Sequence, residues 1–196
     1  MRKSNLLLAG ILLALTVITG VSECYAINKP TPQAEVPKDK FDLKGLFFGM
    51  SKKNLRGLNF DCHKIPEPNC TGDSFCGSRS ITLAGKKIKH AILILKKEKV
   101  TGMQFTFDSS DSSDIADAFT RKHGKPLFTQ KNKLQNAFGR SVVQVERTWR
   151  IKDAKVVIRN VADNITEGTL VVEQTQFDAS IVACLTREKA ADQNDL

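Results

Sequence analysis

The chain has 196 residues, with 30 Lys and Arg against 21 Asp and Glu, a formal net charge of +9. Its length excludes a large multidomain assembly and suits one domain with a full-sized core, or at most two small ones. The positive balance favours envelope lipids, acidic glycans, nucleic acid or acidic proteins as partners without choosing among them.

Met1-Arg2-Lys3 is a short basic start, Leu6 to Val21 is almost unbrokenly apolar, and Cys24-Tyr25-Ala26 places small residues where a signal peptidase reads. These features predict a cleaved signal peptide over 1–26. The apolar run spans 16 residues, short of the roughly 20 that a membrane-crossing helix needs. Glu23 before Cys24 argues against lipid attachment there. Cleavage would leave 170 residues with 28 basic and 20 acidic side chains, and a periplasmic or secreted location.

Residues 27–40 carry Pro30, Pro32 and Pro37 among polar side chains and read as a linker. The folded domain is expected over 41–190, with 191–196 as a disordered tail. Ser51 is a suitable N-cap for a short helix through Leu55, with Gly57 closing it. A short strand over 60–63 precedes an irregular, crosslinked loop over 64–78 that is rich in Pro, Gly and Cys. Three strands follow at 79–83, 87–95 and 100–107, turning at Ala84-Gly85-Lys86 and at Lys96-Lys97-Glu98-Lys99. Met103, Phe105 and Phe107 alternate with smaller or polar residues, as in a strand with one buried face. Ala91 to Leu95 is apolar throughout and reads as a central strand covered on both sides.

Ile115, Ala118 and Phe119 form an apolar stripe on a helix starting near Ser112 and ending at His123, with Gly124 as its stop. The alternating run Val143, Val145, Arg147, Trp149 and Ile151 begins a second set of strands, continued at 155–161 and 169–177. A terminal helix over 179–190 would return Cys184 to the body. The resulting expectation is a single α+β domain, a mostly antiparallel sheet of five to six strands packed against two or three helices. Hairpin-short links favour antiparallel pairing.

Cys62, Cys70, Cys76 and Cys184 are an even set in a chain read as exported, so two disulfides are expected, in one of three pairings. At least one should join the 62–76 loop to the C-terminal segment. A C-x7-C-x5-C spacing lacks the close cysteine pair of a zinc knuckle, so no metal or other cofactor is implied, even with His63 nearby. Gly72-Asp73-Ser74 resembles the opening of serine-hydrolase motifs, and a small hydrolase using Ser74 with His63, His90 or His123 is one alternative. A turn explains the triplet more simply, and no catalytic residue is assigned. Asp108, Asp111, Asp114 and Asp117 suit the positive end of the second helix and do not match a calcium loop.

Lys86, Lys87 and Lys89 at one end of a strand, and Lys96, Lys97 and Lys99 at the other, are the candidate anion-binding residues. Lysines there also guard against edge-to-edge aggregation. Stacking aromatics do not alternate with them, which argues against nucleic acid.

The segment Gly45-Leu46-Phe47-Phe48-Gly49-Met50-Ser51 entering a helix resembles the Gly-x-x-x-Gly-Met-Ser/Thr opening of small exported envelope modules, the SmpA/OmlA group and the β-lactamase-inhibitor-protein-like fold. Gly124-Lys125-Pro126 is similar to their helix exit. Together these pieces cover about ten residues. The resemblance implies a non-enzymatic module that binds a protein partner or serves envelope assembly, although the lipobox cysteine of the lipoproteins is missing. The expected function is therefore an exported, non-enzymatic module contacting a protein or an anionic envelope component. A cationic factor acting on membranes or polyanions is a further alternative.

Overall fold

The computed structural model describes residues 35–135, 141–162, 164–176 and 181–185. The predicted signal peptide, most of the predicted linker and the predicted C-terminal tail lie outside these residues.

A short helix α1 (Lys52–Leu55) starts at Ser51, whose hydroxyl accepts from the Lys53 N–H. Six strands follow: β1 (Asp61–Lys64), β2 (Ser74–Ser78), β3 (Thr82–Leu83), β4 (Lys86–Lys87), β5 (His90–Lys96) and β6 (Lys99–Asp108). Helix α2 (Ser112–His123) separates these from β7 (Phe128–Gln135), β8 (Ser141–Ile151), β9 (Ala154–Arg159) and β10 (Glu167–Gln174). Eight strands form one sheet in the order β1-β2-β5-β6-β10-β9-β8-β7, while β3 and β4 make a separate hairpin. All the pairings are antiparallel.

This is a sheet-rich fold, and the expectation of an α+β domain with five or six strands is corrected. Two strands account for the difference. The segment read as an irregular loop contains β2, which pairs with both β1 and β5. Polar β7 carries no apolar alternation because it is the outermost strand of the sheet and is exposed along much of its length. The segment read as one strand over 79–83 forms only the two residues of β3. At the C-terminal end residues 181–185 are helical, inside the predicted helix.

The order helix-then-four-strands occurs twice around the main sheet: α1 with β1, β2, β5 and β6, then α2 with β7 to β10. The fourth strand of each half pairs with the other at the centre, from Glu167↔Asp108 to Glu173↔Gly102. Because the second half enters at the far edge, α2 must carry the chain across one face of the sheet.

That face is covered. Ala91, Leu93 and Leu95 of β5, Met103, Phe105 and Phe107 of β6, Leu170 and Val172 of β10 and Trp149 of β8 are all buried there. They pack with Ile115, Ala116 and Phe119 of α2 and with Phe41, Leu46, Phe48 and Leu55 from the N-terminal segment. Phe119 stacks near Trp149 at 5.7 Å between ring centroids, and the Trp149 indole N–H donates to the Gly124 carbonyl at 3.0 Å. The opposite face is open. Ile92 and Ile94 of β5 lie there half-buried beside Gly102 and Gln104 of β6. The strand over 91–95 is thus covered on one side, contrary to the sequence expectation.

Two disulfides tie the edge of this platform. Cys62–Cys76 bridges directly opposed residues of β1 and β2, with Cα atoms 4.0 Å apart. Cys70–Cys184 fastens the loop between those strands to the helical residues 181–185 across 114 positions. Of the three pairings left open by the sequence, this is the one adopted. Such crosslinks suit an oxidising, extracytoplasmic environment. Among the described residues, no helix is long and apolar enough to cross a membrane.

Candidate functional site

The β5–β6 hairpin turns through only two residues, Lys97 and Glu98, both with left-handed backbones at φ 49° and 60°. A tight turn of this hand matches strand twist and normally uses Asn or Gly. Here neither residue is a turn specialist, so neighbouring groups must hold the conformation. The Asp73 carboxylate does so by accepting the Lys97 backbone N–H at 2.8 Å, and the Glu98 carbonyl accepts the Lys52 N–H at 2.8 Å. Partial burial works to raise the pKa of Asp73. The Lys97 N–H, the Ser74 hydroxyl and the Lys96 ammonium together outweigh it and hold the carboxyl below its ordinary 3.8.

The consequence is a lysine-rich rim. A depression of about 280 Å³ is lined by Lys40, Lys96, Lys97 and Lys99, with Phe48 and Gly49 among its walls. Lys40 pairs with Asp153 at 3.2 Å, and the Lys96 ammonium donates to the Asn69 carbonyl at 2.6 Å. Lys97 and Lys99 are exposed and form no ion pair among the described residues. Glu98 turns toward Lys52 at 3.9 Å. The rim therefore has two ammonium groups that, among the described residues, no carboxylate pairs, beside a concave surface.

The other lysine group has a different environment. Lys86 contacts Asp111 at 3.1 Å and Asp114 at 2.7 Å, and Lys89 contacts Asp108 at 2.7 Å and Glu167 at 3.3 Å. Hydrogen bonding to Asp114 and Asp111 raises the Lys86 pKa, and Asp108 has the same effect on Lys89. Three of the four regularly spaced aspartates thus neutralise lysines from the neighbouring hairpin and strand. Only Lys87 of this group is exposed without an ion pair among the described residues. The sequence spacing showed both groups but not the acidic partners that separate them, since those contacts span distant elements.

Ser74 sits on the covered face, 5% exposed, and its hydroxyl donates to Asp73 at 3.0 Å. His63 lies opposite Phe75 in the ladder, one position away from the Lys64↔Ser74 pair. Side chains alternate across a strand, so this imidazole and the Ser74 hydroxyl point to opposite faces. His123 packs against the Phe119 and Phe41 rings at 5.2 and 5.9 Å. Burial, then Lys122 and Lys152, lower its pKa below 6.5. Asn69 of Asn69-Cys70-Thr71 and Asn164 of Asn164-Ile165-Thr166, each in a glycosylation-type Asn-x-Thr triplet, use their side chains locally. Asn69 accepts from the N–H groups of Thr71 and Gly72, and Asn164 from that of Thr166.

A second depression, about 420 Å³, lies on the open face around Gly102, with Ile94, Gln104, Val171 and Glu173 among its walls. Nothing in the sequence marked it, because its floor is the missing side chain of one glycine in a central strand. Among the described residues, no cluster of three or more His, Cys, Asp or Glu side chains could hold a metal ion. Comparison with known proteins gives no further guide: no family model, no curated protein and no solved structure matches this chain.

Proposed function

We propose that this chain is an exported, non-enzymatic binding module whose lysine-rimmed depression receives an anionic group of an envelope partner. The observation that carries this reading is the contrast between the two lysine groups. Lys86 and Lys89 are balanced by carboxylates, whereas Lys97 on the turn that Asp73 holds and Lys99 beside it stand exposed and, among the described residues, without an ion pair. Ammonium groups in this setting attract an anion at long range and need no further charge separation to bind it. The paired cysteines and the basic, apolar, small-residue leader support export to the periplasm or beyond.

The test is salt-dependent retention of the oxidised chain on heparin and on anionic phospholipid vesicles. Replacing Lys97 and Lys99 together by Glu should lower the eluting salt concentration markedly, while Lys87→Glu should shift it little. A Lys87→Glu shift half that of the double variant, in proportion to the two and four units of charge removed, would show that retention follows net charge alone and would remove this depression as the site.

A further inference from the structure

The two depressions meet at a seam in the sheet. The β6–β10 ladder stops at Glu173↔Gly102, yet β10 continues against β9 to Gln174 and β6 continues against β5 to Lys99. The two central strands therefore part at this end. Thr101 and Gln174, flanking the parting, line both depressions. Thr101 is also the extra residue of a bulge: Ile94 pairs with Gly102 and Leu95 with Val100, leaving Thr101 without a partner in the ladder. Its hydroxyl is tied back to the Thr71 and Ile94 carbonyls at 2.7 and 3.2 Å.

The chemistry on the two sides of the seam differs. On the open face, Gly102, Ile94 and Val171 offer an apolar floor and walls, with uncharged Gln104 beside them. Glu173, the one carboxylate there, is paired to Lys155 at 3.0 Å. Beyond the seam lies the lysine rim.

We infer that this end of the sheet is one bipartite site for a small anionic amphiphile, a single apolar chain carrying a phosphate-type head. The head sits on Lys96, Lys97 and Lys99, and the chain runs past Thr101 and Gln174 onto the Gly102 floor. The reverse orientation would bring the head to Glu173 and leave the lysines uncovered. This inference rests on the proposed anion-binding reading and adds the class of ligand to it.

Calorimetric titration of the oxidised mature chain with inorganic phosphate, decyl phosphate and decyl glucoside, each below its micelle concentration, tests it. Decyl phosphate should bind at least tenfold more tightly than phosphate, since burying about two methylene groups already corresponds to that factor. Gly102→Val should abolish the advantage of the chain and leave phosphate affinity unchanged. The added Cβ would meet Ile94 no closer than 3.6 Å, and an unchanged urea unfolding midpoint would show that the two γ-methyl groups fit as well. Gln104→Glu, at an exposed position, should reduce the same advantage without any packing change. The double Glu variant at Lys97 and Lys99 should lose both ligands.

Phosphate and decyl phosphate binding equally, with both lost in the lysine variant, would overturn the bipartite site and leave the anion-binding reading standing. Decyl glucoside matching decyl phosphate, or no binding of either phosphate, would overturn both. Decyl phosphate preference accompanied by sedimentation with anionic phospholipid vesicles supports the site and identifies a bilayer as the source. The same preference without sedimentation supports it for a free amphiphile.

Discussion

Breaking the two disulfides separately should destabilise the protein by clearly different amounts, and the order is set by chain length. In the loop-closure description, a crosslink stabilises by restricting the unfolded chain, in proportion to the logarithm of the loop it closes. For Cys70–Cys184, with 114 positions between its ends, that restriction is worth about 4.8 kcal/mol at 25 °C. For Cys62–Cys76, with a separation of 14, it is worth about 3.0 kcal/mol. The expected difference is therefore close to 2 kcal/mol, with Cys70→Ala/Cys184→Ala the more damaging pair. Cys70 and Cys76 are both essentially buried, so the loss of sulfur packing contributes to both variants and partly cancels in the comparison. Urea unfolding of the oxidised wild type and the two paired-alanine variants measures it. The denaturant slope should also rise more for the long link, because releasing it exposes a more extended unfolded chain. Equal destabilisation, or a greater loss on removing Cys62–Cys76, would refute the entropic reasoning. It would indicate that local packing between β1 and β2, and not the tether to residues 181–185, dominates this edge.

Asp73→Asn should destabilise the protein by about 1.5–3 kcal/mol at neutral pH, the usual scale for hydrogen bonds to a charged acceptor. Because the folded pKa of Asp73 lies below its ordinary 3.8, its contribution is present above that value and is lost as pH falls through the lower, folded one. Acid unfolding curves of wild type and variant should therefore converge below about pH 3.8, and parallel curves would contradict the role given to this carboxylate. Glu98→Gly should stabilise by about 1 kcal/mol by relieving a left-handed backbone, and should strengthen anion retention by removing a carboxylate from the rim. A neutral or lower unfolding midpoint would show that the turn is unstrained. Gly168→Ala should cost about 1–3 kcal/mol, since a Cβ there would overlap the Phe107 ring and approach the Arg159 carbonyl at 2.8 Å. A loss under 0.5 kcal/mol in urea unfolding would mean that the β6, β9 and β10 backbones yield readily at that point.

Where a strand has one buried and one exposed face, the residues announced it. Met103, Phe105 and Phe107 alternate with more exposed neighbours because burial is decided residue by residue along a pleat, whereas in the run from Val143 to Ile151 only Trp149 is buried and Val143 is exposed. Helix α2 was equally plain, with an apolar stripe, aspartates at its start and Gly124 at its end. By contrast, β2 is built from Ser, Phe, Cys and Gly, a composition shared with loops, and only its neighbours on both sides make it a strand. Strand β7 is hidden for a related reason. An outermost strand pairs along one edge only, so its polar side chains carry no record of the pairing.

Amino-acid order by itself determined that the cysteines form two bonds, that hairpins turn within Ala84-Gly85-Lys86 and within Lys96-Lys97-Glu98-Lys99, and that lysines gather near both ends of one strand. These are local matters of composition, backbone preference and spacing. Tertiary structure alone decided which cysteines meet, which lysines face carboxylates and which stay free, and that β6 and β10 part beside Thr101. Each of those outcomes depends on residues tens of positions apart being brought within a few ångströms, and that proximity has no signature in any short window of the chain.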